Sequence, residues 1–188
     1  DVFYPNNCQI CRASLTLHER HVCLSCSYDL PYIGHGADGL HKLQLLFQNR
    51  VLVNQVYSLL NYQKGNQVQD ILHLIKYHKK TRLGNYLGEV LGEIIPKKTE
   101  FDLILPVPLH IRKLRERGYN QSSVIAKGIA KALDVPVSEK YLIRNDYNAS
   151  QTKFSKYDRW DNVKSIFSVR KPEHLRNKHV LVVDDVLT

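Results

Sequence analysis

The four cysteines of this chain fall into two pairs with the same spacing, Cys8-x-x-Cys11 and Cys23-x-x-Cys26, with residues 12–22 between them. A gap of two residues lets both sulfurs of a pair reach one ion, and four thiolates close a tetrahedral site of the structural kind. Thiolate ligands select zinc over hard cations. The spacing therefore predicts a structural zinc site on all four cysteines.

A unit of about 30 residues cannot fold on its own apolar core, so we expect metal binding to drive the folding of residues 1–30. The alternatives are a redox pair and four ordinary buried thiols. A redox CxxC normally stands at a helix start in a βαβ unit, and neither pair does so here. His18 and His21 lie between the two pairs and are possible substitute ligands.

A second candidate site is the acid pair Asp184 and Asp185, which directly follows the apolar run HVLVV at residues 179–183. Acids at the carboxyl end of a parallel strand lie in the ligand crevice of an α/β sheet. Three interpretations compete: an ATPase metal site, a phospho-receiver pair, and a sugar-phosphate site with Mg²⁺ nearby. The sequence lacks GxxxxGK[ST], and receivers carry their acids on the first strand, so the sugar-phosphate site is favoured. The structural alternative is a solvated strand end.

The basic stretch RKLRERGYNQ, residues 112–121, is predicted to be a loop that follows a strand. Its cations and hydrogen-bonding side chains suit the diphosphate of a ligand, although a solvated surface charge is the alternative for each basic residue. A second polar stretch, residues 146–161, is long for a compact domain and matches a mobile lid. Lys153 is the best candidate in this lid for a contact with the ligand. In the first stretch, residues 112–121, the candidates for contacts with the diphosphate are Arg115, Arg117, Tyr119, Asn120 and Gln121.

The elements around these residues alternate in the manner of an α/β fold with a mainly parallel sheet. Apolar residues at helical spacing predict two helices within residues 67–95, broken near the basic residues 76–82 and ended by Pro96. Lys76 ends an apolar face of the first helix, so it either reaches the ligand pocket or lies on the surface. Residues 101–106 and 179–183 predict buried strands, and residues 122–133 a helix. Residues 53–66 suggest a strand or hairpin arm turned at Gly65-Asn66.

The charge of the chain favours an anionic partner, since 27 Lys and Arg stand against 18 Asp and Glu, for a formal charge of +9. Nucleic acid or a heavily phosphorylated small molecule fits, and a basic surface that only aids solubility is the alternative. The sequence contains no run of about 18 apolar residues, so it predicts no membrane span. The first residues, DVFYPNNCQIC, lack the basic head and apolar core of a signal peptide, so we expect a cytoplasmic protein.

The run VLVVDDVLT, residues 180–188, resembles the phosphoribosyl-pyrophosphate (PRPP) motif of type I phosphoribosyltransferases. In order along the chain, the four-cysteine unit, LIKYHKK, LPVPLHIRKLRERGYNQ, SQTKFSKYDRWDNV, IFSV and the acid pair resemble the ComF family. This is the ComFC-like competence group, which includes a GntX-like branch.

The resemblance implies a type I phosphoribosyltransferase-like parallel sheet flanked by helices, preceded by a small zinc ribbon. The implied domains are a zinc module at 1–30, a linker at 31–50 and a transferase-like domain at 51–188 whose carboxyl end is missing. Asp184 and Asp185 would then hold the ribose hydroxyls with Mg²⁺, and Thr188 would begin the phosphate loop.

The same resemblance implies catalytic roles for the basic residues Lys153 and Arg117, and a role in handling single-stranded DNA during natural competence, beside a helicase-like partner. The hood that would choose an acceptor, residues 50–66, carries Tyr57 and Tyr62 but no readable code. The residues do not indicate whether transfer is catalysed. The alternative hypothesis is a metabolic phosphoribosyltransferase of nucleotide or related salvage that uses PRPP and Mg²⁺.

Overall fold

The structure is a computed structural model, and it describes residues 6–33, 43–45, 47, 51–145 and 166–187. The helices and strands alternate along the second half of this range, with helices alone before residue 100. Within the described residues, no helix combines the length and the apolar content that crossing a membrane requires.

The two helices predicted within residues 67–95 are present, and a short helix precedes them in the cysteine unit. Helix α1 is Leu24–Tyr28, α2 is Gln67–Tyr77 and α3 is Thr81–Ile94. Asn66 caps α2, because its side chain accepts a hydrogen bond from the Val68 N–H at 3.2 Å. The predicted break between α2 and α3 is confirmed at residues 78–80, and α3 ends before Pro96.

The remaining elements complete an α/β arrangement. They are β1 (Leu103–Pro106), α4 (Ile111–Arg117), α5 (Gln121–Leu133), β2 (Leu142–Arg144), β3 (Phe167–Val169), a 3-10 turn (Pro172–Leu175) and β4 (Val180–Val183).

Strands β1 and β4 pair in parallel, from Leu103 opposite Val180 to Pro106 opposite Val183. Val137 adds a parallel bridge to Ile104 on the other side of β1. Strands β2 and β3 form a separate antiparallel pair. The prediction of an α/β fold with a parallel sheet and flanking helices, preceded by a four-cysteine unit, is confirmed.

Helices α3 and α5 approach each other closely at two glycines. A Cβ atom on Gly88 would lie 2.2 Å from the Ile125 carbonyl oxygen, and one on Gly128 would lie 2.0 Å from the Asn85 carbonyl oxygen. These distances leave no space for a side chain, so backbone meets backbone at the crossing. The crossing fixes the start of α5 beside the end of β4.

Two predictions about local structure are wrong. The basic stretch predicted as a loop contains helix α4, which His110 caps at its start and Gly118 ends in the left-handed conformation, with φ 84°. The hairpin arm predicted within residues 53–66 is absent; among the described residues, the only pairing of this segment is a single bridge between Tyr32 and Leu60. Gly65 does turn the chain, with φ 85°, but the turn leads into α2.

Candidate functional site: a four-cysteine cluster and an acid pair

The four cysteine sulfurs converge on one point near the amino terminus. All four lie within 4.8 Å of one another, and Cys11 and Cys23 are 3.6 Å apart. Tetrahedral coordination at about 2.3 Å per Zn–S bond places sulfurs about 3.8 Å apart, so the arrangement fits a four-thiolate zinc ion. His18 and His21 are not members of this group.

Backbone N–H groups point at the sulfurs, as expected for thiolates. The Cys23 N–H donates to Cys8 Sγ and the Cys26 N–H donates to Cys23 Sγ, both at 3.4 Å. Burial raises the pKa of Cys8, but hydrogen bonds from the backbone of Cys23, Cys11 and Ile10 outweigh it and lower that pKa to about 6. Burial and the neighbouring sulfurs raise the pKa of Cys26. A cation at the centre would favour the thiolate form of all four.

The Glu19 carboxylate holds the loop between the two cysteine pairs. Its oxygens accept hydrogen bonds from the Thr16 and Leu24 N–H groups, each at 2.7 Å. These two bonds lower the pKa of Glu19 below its usual value. Because Leu24 begins α1, the carboxylate also lies where the helix dipole favours negative charge.

The cysteine unit packs on α2 and α3. One apolar cluster of buried side chains includes Cys8, Cys23 and Cys26 together with Ile71 and Leu83. The rings of His21 and Tyr86, the latter on α3, meet edge to face with centroids 5.9 Å apart. The buried surface of the unit is therefore continuous with that of the two helices.

The acid pair lies directly after β4, at the carboxyl edge of the parallel strands. Asp184 Oδ1 accepts two hydrogen bonds, from the Ser122 hydroxyl at 2.9 Å and from the Asp185 N–H at 2.8 Å. Ser122 is buried in the first turn of α5. The start of α5 therefore orients the first carboxylate.

The second carboxylate meets a cation from a distant part of the chain. Asp185 Oδ2 lies 2.6 Å from the Lys76 ammonium, and the exposed fractions of the two side chains are 9% and 24%. Lys76 stands in the last turn of α2. The ion pair is thus largely removed from water, and it neutralises one of the two acids.

Burial of the Asp184 carboxyl raises its pKa above the usual aspartate value. The hydrogen bonds from Asp185 and Ser122 act in the opposite direction and lower it, as does the positive charge of Lys76. The negative charge of Asp185 raises it further. A partly desolvated acid beside a like charge is the arrangement that a bound cation relieves.

The residues of RGYNQ hold the fold together around this edge. The Tyr119 hydroxyl donates to the Ile75 carbonyl of α2. Asn120 caps α5 through the Ser122 N–H and donates to the Val107 carbonyl at 2.9 Å. Gln121 is buried and accepts from the Arg117 guanidinium. In this conformation their side chains connect α2, α4, α5 and the end of β1.

One cavity borders the acid pair, and a second is lined by Lys76, the ion-pair partner of Asp185. The first, of about 320 Å³, is lined mainly by apolar side chains of α2 and α3, by residues 57–62, and by both acids. The second, of about 220 Å³, lies between the end of α2 and α4. Its lining residues are Lys76, Tyr77, Lys79, Lys113, Glu116 and Arg117. We call it the cationic cavity, since four of the six carry positive charge.

The structure brings together some of the predicted site residues. Asp184 and Asp185 lie together, and Arg117 reaches the cationic cavity. Arg115 is on α4 with an exposed side chain and does not line that cavity. Lys153 and Thr188, like the whole of residues 146–161, lie outside the described residues.

Sequence reasoning missed Ser122 and left Lys76 undecided. Three consecutive polar residues, Gln121, Ser122 and Ser123, are buried at the start of α5, before the apolar face of that helix. Buried polar side chains need partners, so this run was the available indication of a nearby polar site. For Lys76, the indication was a cation that ends an apolar helix face.

The acid pair fits Mg²⁺ in its donor chemistry. Magnesium takes one or two carboxylates and completes its octahedron with water and substrate phosphates. The Asp184 carboxylate is oriented by Ser122, and Asp185 is paired with the Lys76 ammonium. A cation that bound Asp185 through Oδ2 would therefore have to displace that ammonium.

No family model matches the chain. The chain is 27% identical over 204 residues to the protein named Competence protein F of Haemophilus influenzae, which covers 99% of this chain and 86% of that protein. It is 24% identical over 198 residues to the DNA utilization protein YhgH of Escherichia coli K12, which covers 98% of this chain and 86% of the relative.

Among solved structures, glutamine PRPP amidotransferase from B. subtilis, complexed with ADP and GMP, is 25% identical, with a TM-score of 0.38. The match covers 55% of this chain and 20% of that one. With the four clustered cysteines and relatives matched along almost all of its length, the resemblance of this chain to the ComF family is confirmed.

Proposed function

We propose that this ComF-type protein binds PRPP with Mg²⁺ at Asp184 and Asp185, and that its cysteine unit holds a structural zinc ion. The observation that supports the first part most is the position of the acid pair. It follows β4 at the edge of the parallel strands, with Asp184 oriented by Ser122 and Asp185 neutralised by Lys76. The amino-terminal module, on this proposal, is a docking unit, and the protein acts in the cytoplasm.

The two carboxylates suit a ribose diol. Ionised carboxylates accept hydrogen bonds from hydroxyl groups, and such charge-assisted bonds are about twice as strong as neutral ones. Ser122 and the Asp185 N–H hold Asp184 in one orientation before a ligand arrives. Less side-chain freedom is then lost on binding, which favours affinity.

The cationic cavity suits the phosphates of the same ligand. Arg117 is held in place by Gln121 and by the ring of Tyr77, whose centroid lies 5.3 Å from the guanidinium carbon. Magnesium, when bound, would neutralise charge on the diphosphate. Arg117 and its neighbours would bind and orient the diphosphate, which is the group that leaves if transfer occurs.

The test is a calorimetric titration of the intact protein with PRPP, with and without Mg²⁺. Asp184→Asn combined with Asp185→Asn should weaken binding about a hundredfold or more, since two hydrogen bonds to charged groups, each worth about 1.5–3 kcal/mol, are lost. Asp134→Asn is the matched control, because Asp134 ends α5 in a left-handed conformation that asparagine also adopts.

Binding should require Mg²⁺ in the control protein. Unchanged PRPP affinity in the double variant would contradict the assignment of the acid pair. The same titration followed by an assay for pyrophosphate release separates a binding protein from a salvage transferase. The proposed part of Lys153 in such transfer remains a prediction.

A second function, handling of single-stranded DNA, is supported by the names of two relatives, Competence protein F and DNA utilization protein YhgH, and by the formal charge of +9. This charge is concentrated at Lys79 and Lys80, in the turn between α2 and α3, and at Arg82 in the first turn of α3. A backbone-tracking surface predicts binding that tolerates any sequence and weakens steeply with salt, with a log–log slope of about −0.7 per phosphate contact.

Charge reversal of Lys79, Lys80 and Arg82 to Glu should weaken binding of a labelled oligonucleotide and flatten its salt dependence. Lys97→Glu with Lys98→Glu is the control, since both side chains are exposed beyond the end of α3. Fluorescence anisotropy at two salt concentrations reads the result. Identical curves for wild type and the triple variant, or complete competition by PRPP, would contradict a separate DNA surface. A helicase-like partner belongs to the same proposal.

A further inference from the structure

One side chain connects the two cavities. Lys76 lines the cationic cavity, and its ammonium lies 2.6 Å from Asp185. Asp185 in turn lines the first cavity, the one of about 320 Å³ with mainly apolar walls. The ammonium is therefore engaged by the acid pair in this conformation. Its charge is compensated by a carboxylate and contributes little to the cavity that its own stem helps to form.

The cationic cavity has the features of a built anion site. Lys79, in the short connection between α2 and α3, has a left-handed backbone with φ 53°, which is costly for a residue with a side chain. Lys113 approaches from α4, and Arg117 is held by Gln121 and Tyr77. Glu116 is the single acid in the lining. Two stretches far apart in sequence thus supply cations to one concave space.

We propose that the cationic cavity binds a phosphate group and that Lys76 couples this site to the acid pair. The proposal rests on the proposed binding of a divalent cation at Asp184 and Asp185. A divalent cation that binds Asp185 Oδ2, the buried oxygen that the ammonium contacts, replaces the ammonium, because two cations at one oxygen atom repel each other. The released ammonium then adds its charge to the cavity that Lys76 already lines.

The consequence is positive cooperativity between a cation and an anion. Each ligand should raise the affinity of the protein for the other by the same factor, because coupling free energy is reciprocal. In coupled sites, one ligand typically changes the affinity for the other by about 5- to 150-fold, and a partly exposed ammonium favours the lower end of this range. If the pair of Lys76 and Asp185 is instead a fixed structural ion pair, the two sites should bind their ligands independently.

The experiment uses the intact protein, with Mg²⁺ as the cation probe and inorganic phosphate as the anion probe. Calorimetry should show that Mg²⁺ tightens phosphate binding about fivefold, and that phosphate tightens Mg²⁺ binding equally. Lys76→Met should abolish this dependence and weaken phosphate binding when Mg²⁺ is present. It should also tighten Mg²⁺ binding, since no ammonium then competes for Asp185.

Two further variants separate the parts of the proposal. Lys113→Met should weaken phosphate binding, keep the fivefold dependence on Mg²⁺ and leave Mg²⁺ affinity alone, because Lys113 lines only the cationic cavity. Lys131→Met removes an ion pair with Glu89 of similar length, 2.9 Å, at a distant exposed place, and should change nothing. Thermal melts of all three confirm that each protein is folded.

Equal phosphate affinity with and without Mg²⁺ in the wild type would overturn the coupling. Coupling that survives in Lys76→Met would also overturn it, because ion pairing in solution would then explain the effect. Phosphate binding that Lys113→Met leaves unchanged would remove the anion site. Failure of the proposed function is distinct: the acid-pair variant would then leave PRPP and Mg²⁺ affinity unchanged, while Lys113→Met would still report on the phosphate site.

Discussion

The cysteine unit and the acid-pair site are assembled from different parts of the chain. The cysteine ligands come from two short segments, residues 8–11 and 23–26, and the backbone N–H groups that bind the sulfurs come from the same segments. The acid pair has two residues on one strand end, but its partners Ser122 and Lys76 come from α5 and α2. One site depends on local turns and the other on the packing of helices.

This difference teaches how each site should fail. With the proposed zinc ion, a cysteine unit of about 30 residues would draw its stability from the metal, so loss of a ligand would remove most of its folding energy. The acid pair draws its geometry from elements that are stable for other reasons. Substitutions that remove one of its contacts should therefore change the affinity for Mg²⁺ and its pH dependence, while the fold persists.

The largest effect is expected from Cys26→Ser. Structural zinc contributes about 10–16 kcal/mol to the folding of small zinc units, and a hydroxyl does not replace a buried thiolate. The variant should lose zinc by elemental analysis and become sensitive to protease within residues 6–33. Because Cys26 shares an apolar cluster with Ile71, the melting temperature of the rest should also fall.

Ser25→Ala, in the same helix but exposed, is the control for that variant and should keep one zinc per chain. A metal-free wild-type protein with protected amino-terminal amides would contradict the assignment. It would also erase the contrast between the two sites, since both would then depend on tertiary packing alone.

The next effect is expected from Gly128→Ala, which tests whether helix packing holds the acid-pair site. The added methyl group would collide with the Asn85 carbonyl oxygen, and overpacking of this kind costs about 1–3 kcal/mol or more. Urea unfolding should show the loss, and Mg²⁺ affinity should fall because α5 carries Ser122. Lys127→Ala, the neighbouring exposed residue, should have little effect. Equal stability of the two variants would show that α3 and α5 separate easily.

A smaller effect is expected from Ser122→Ala, of about 1 kcal/mol on Mg²⁺ binding. Metal binding needs ionised Asp184, whose pKa is raised, so affinity should fall as the pH drops through that raised pKa. The Ser122 hydroxyl lowers the pKa, so its removal should move the midpoint of this fall to higher pH. The measurement is calorimetry with Mg²⁺ across a pH series.

Ser123→Ala is the matched control for that variant. Ser123 is equally buried in the same turn, and its hydroxyl has no hydrogen-bond partner among the described residues. A pH profile that shifts equally in both serine variants would show that the hydroxyl of Ser122 has no specific action on Asp184.

The smallest effect is expected from Glu19→Gln in the cysteine unit. The pKa of Glu19 is lowered in the folded state, so its contribution to stability is present above the unfolded pKa and is lost as the pH falls through the folded pKa. The variant should be slightly less stable at neutral pH and should match the wild type in acid. Asp29→Asn is the control, and thermal melts at several pH values are the measurement. A difference that persists in acid would assign the effect to shape instead of charge.

The sequence by itself determined the local features of this protein. The cysteine spacing predicted the cluster, because ligands two residues apart converge through a single turn. Helical periodicity placed α2, α3 and α5, and the apolar runs placed β1 and β4, since burial on one or both faces leaves a regular pattern. Helix α4 was missed because five of its seven residues are charged and the stretch is too short to show a helical period, and a helix so short forms only in its tertiary setting.

Only the tertiary structure decided which side chains meet at the acid pair. Ser122 and Asp184 are 62 residues apart, and Tyr119 and the Ile75 carbonyl are 44 apart. The sequence proposed Tyr119, Asn120 and Gln121 as ligand contacts, whereas in this conformation they bond the fold itself. No residue pattern encodes such pairings, because they follow from the crossing of α3 and α5 and from the register of β1 with β4. A hydrogen bond or an ion pair forms only after packing has brought its two partners within about 3 Å.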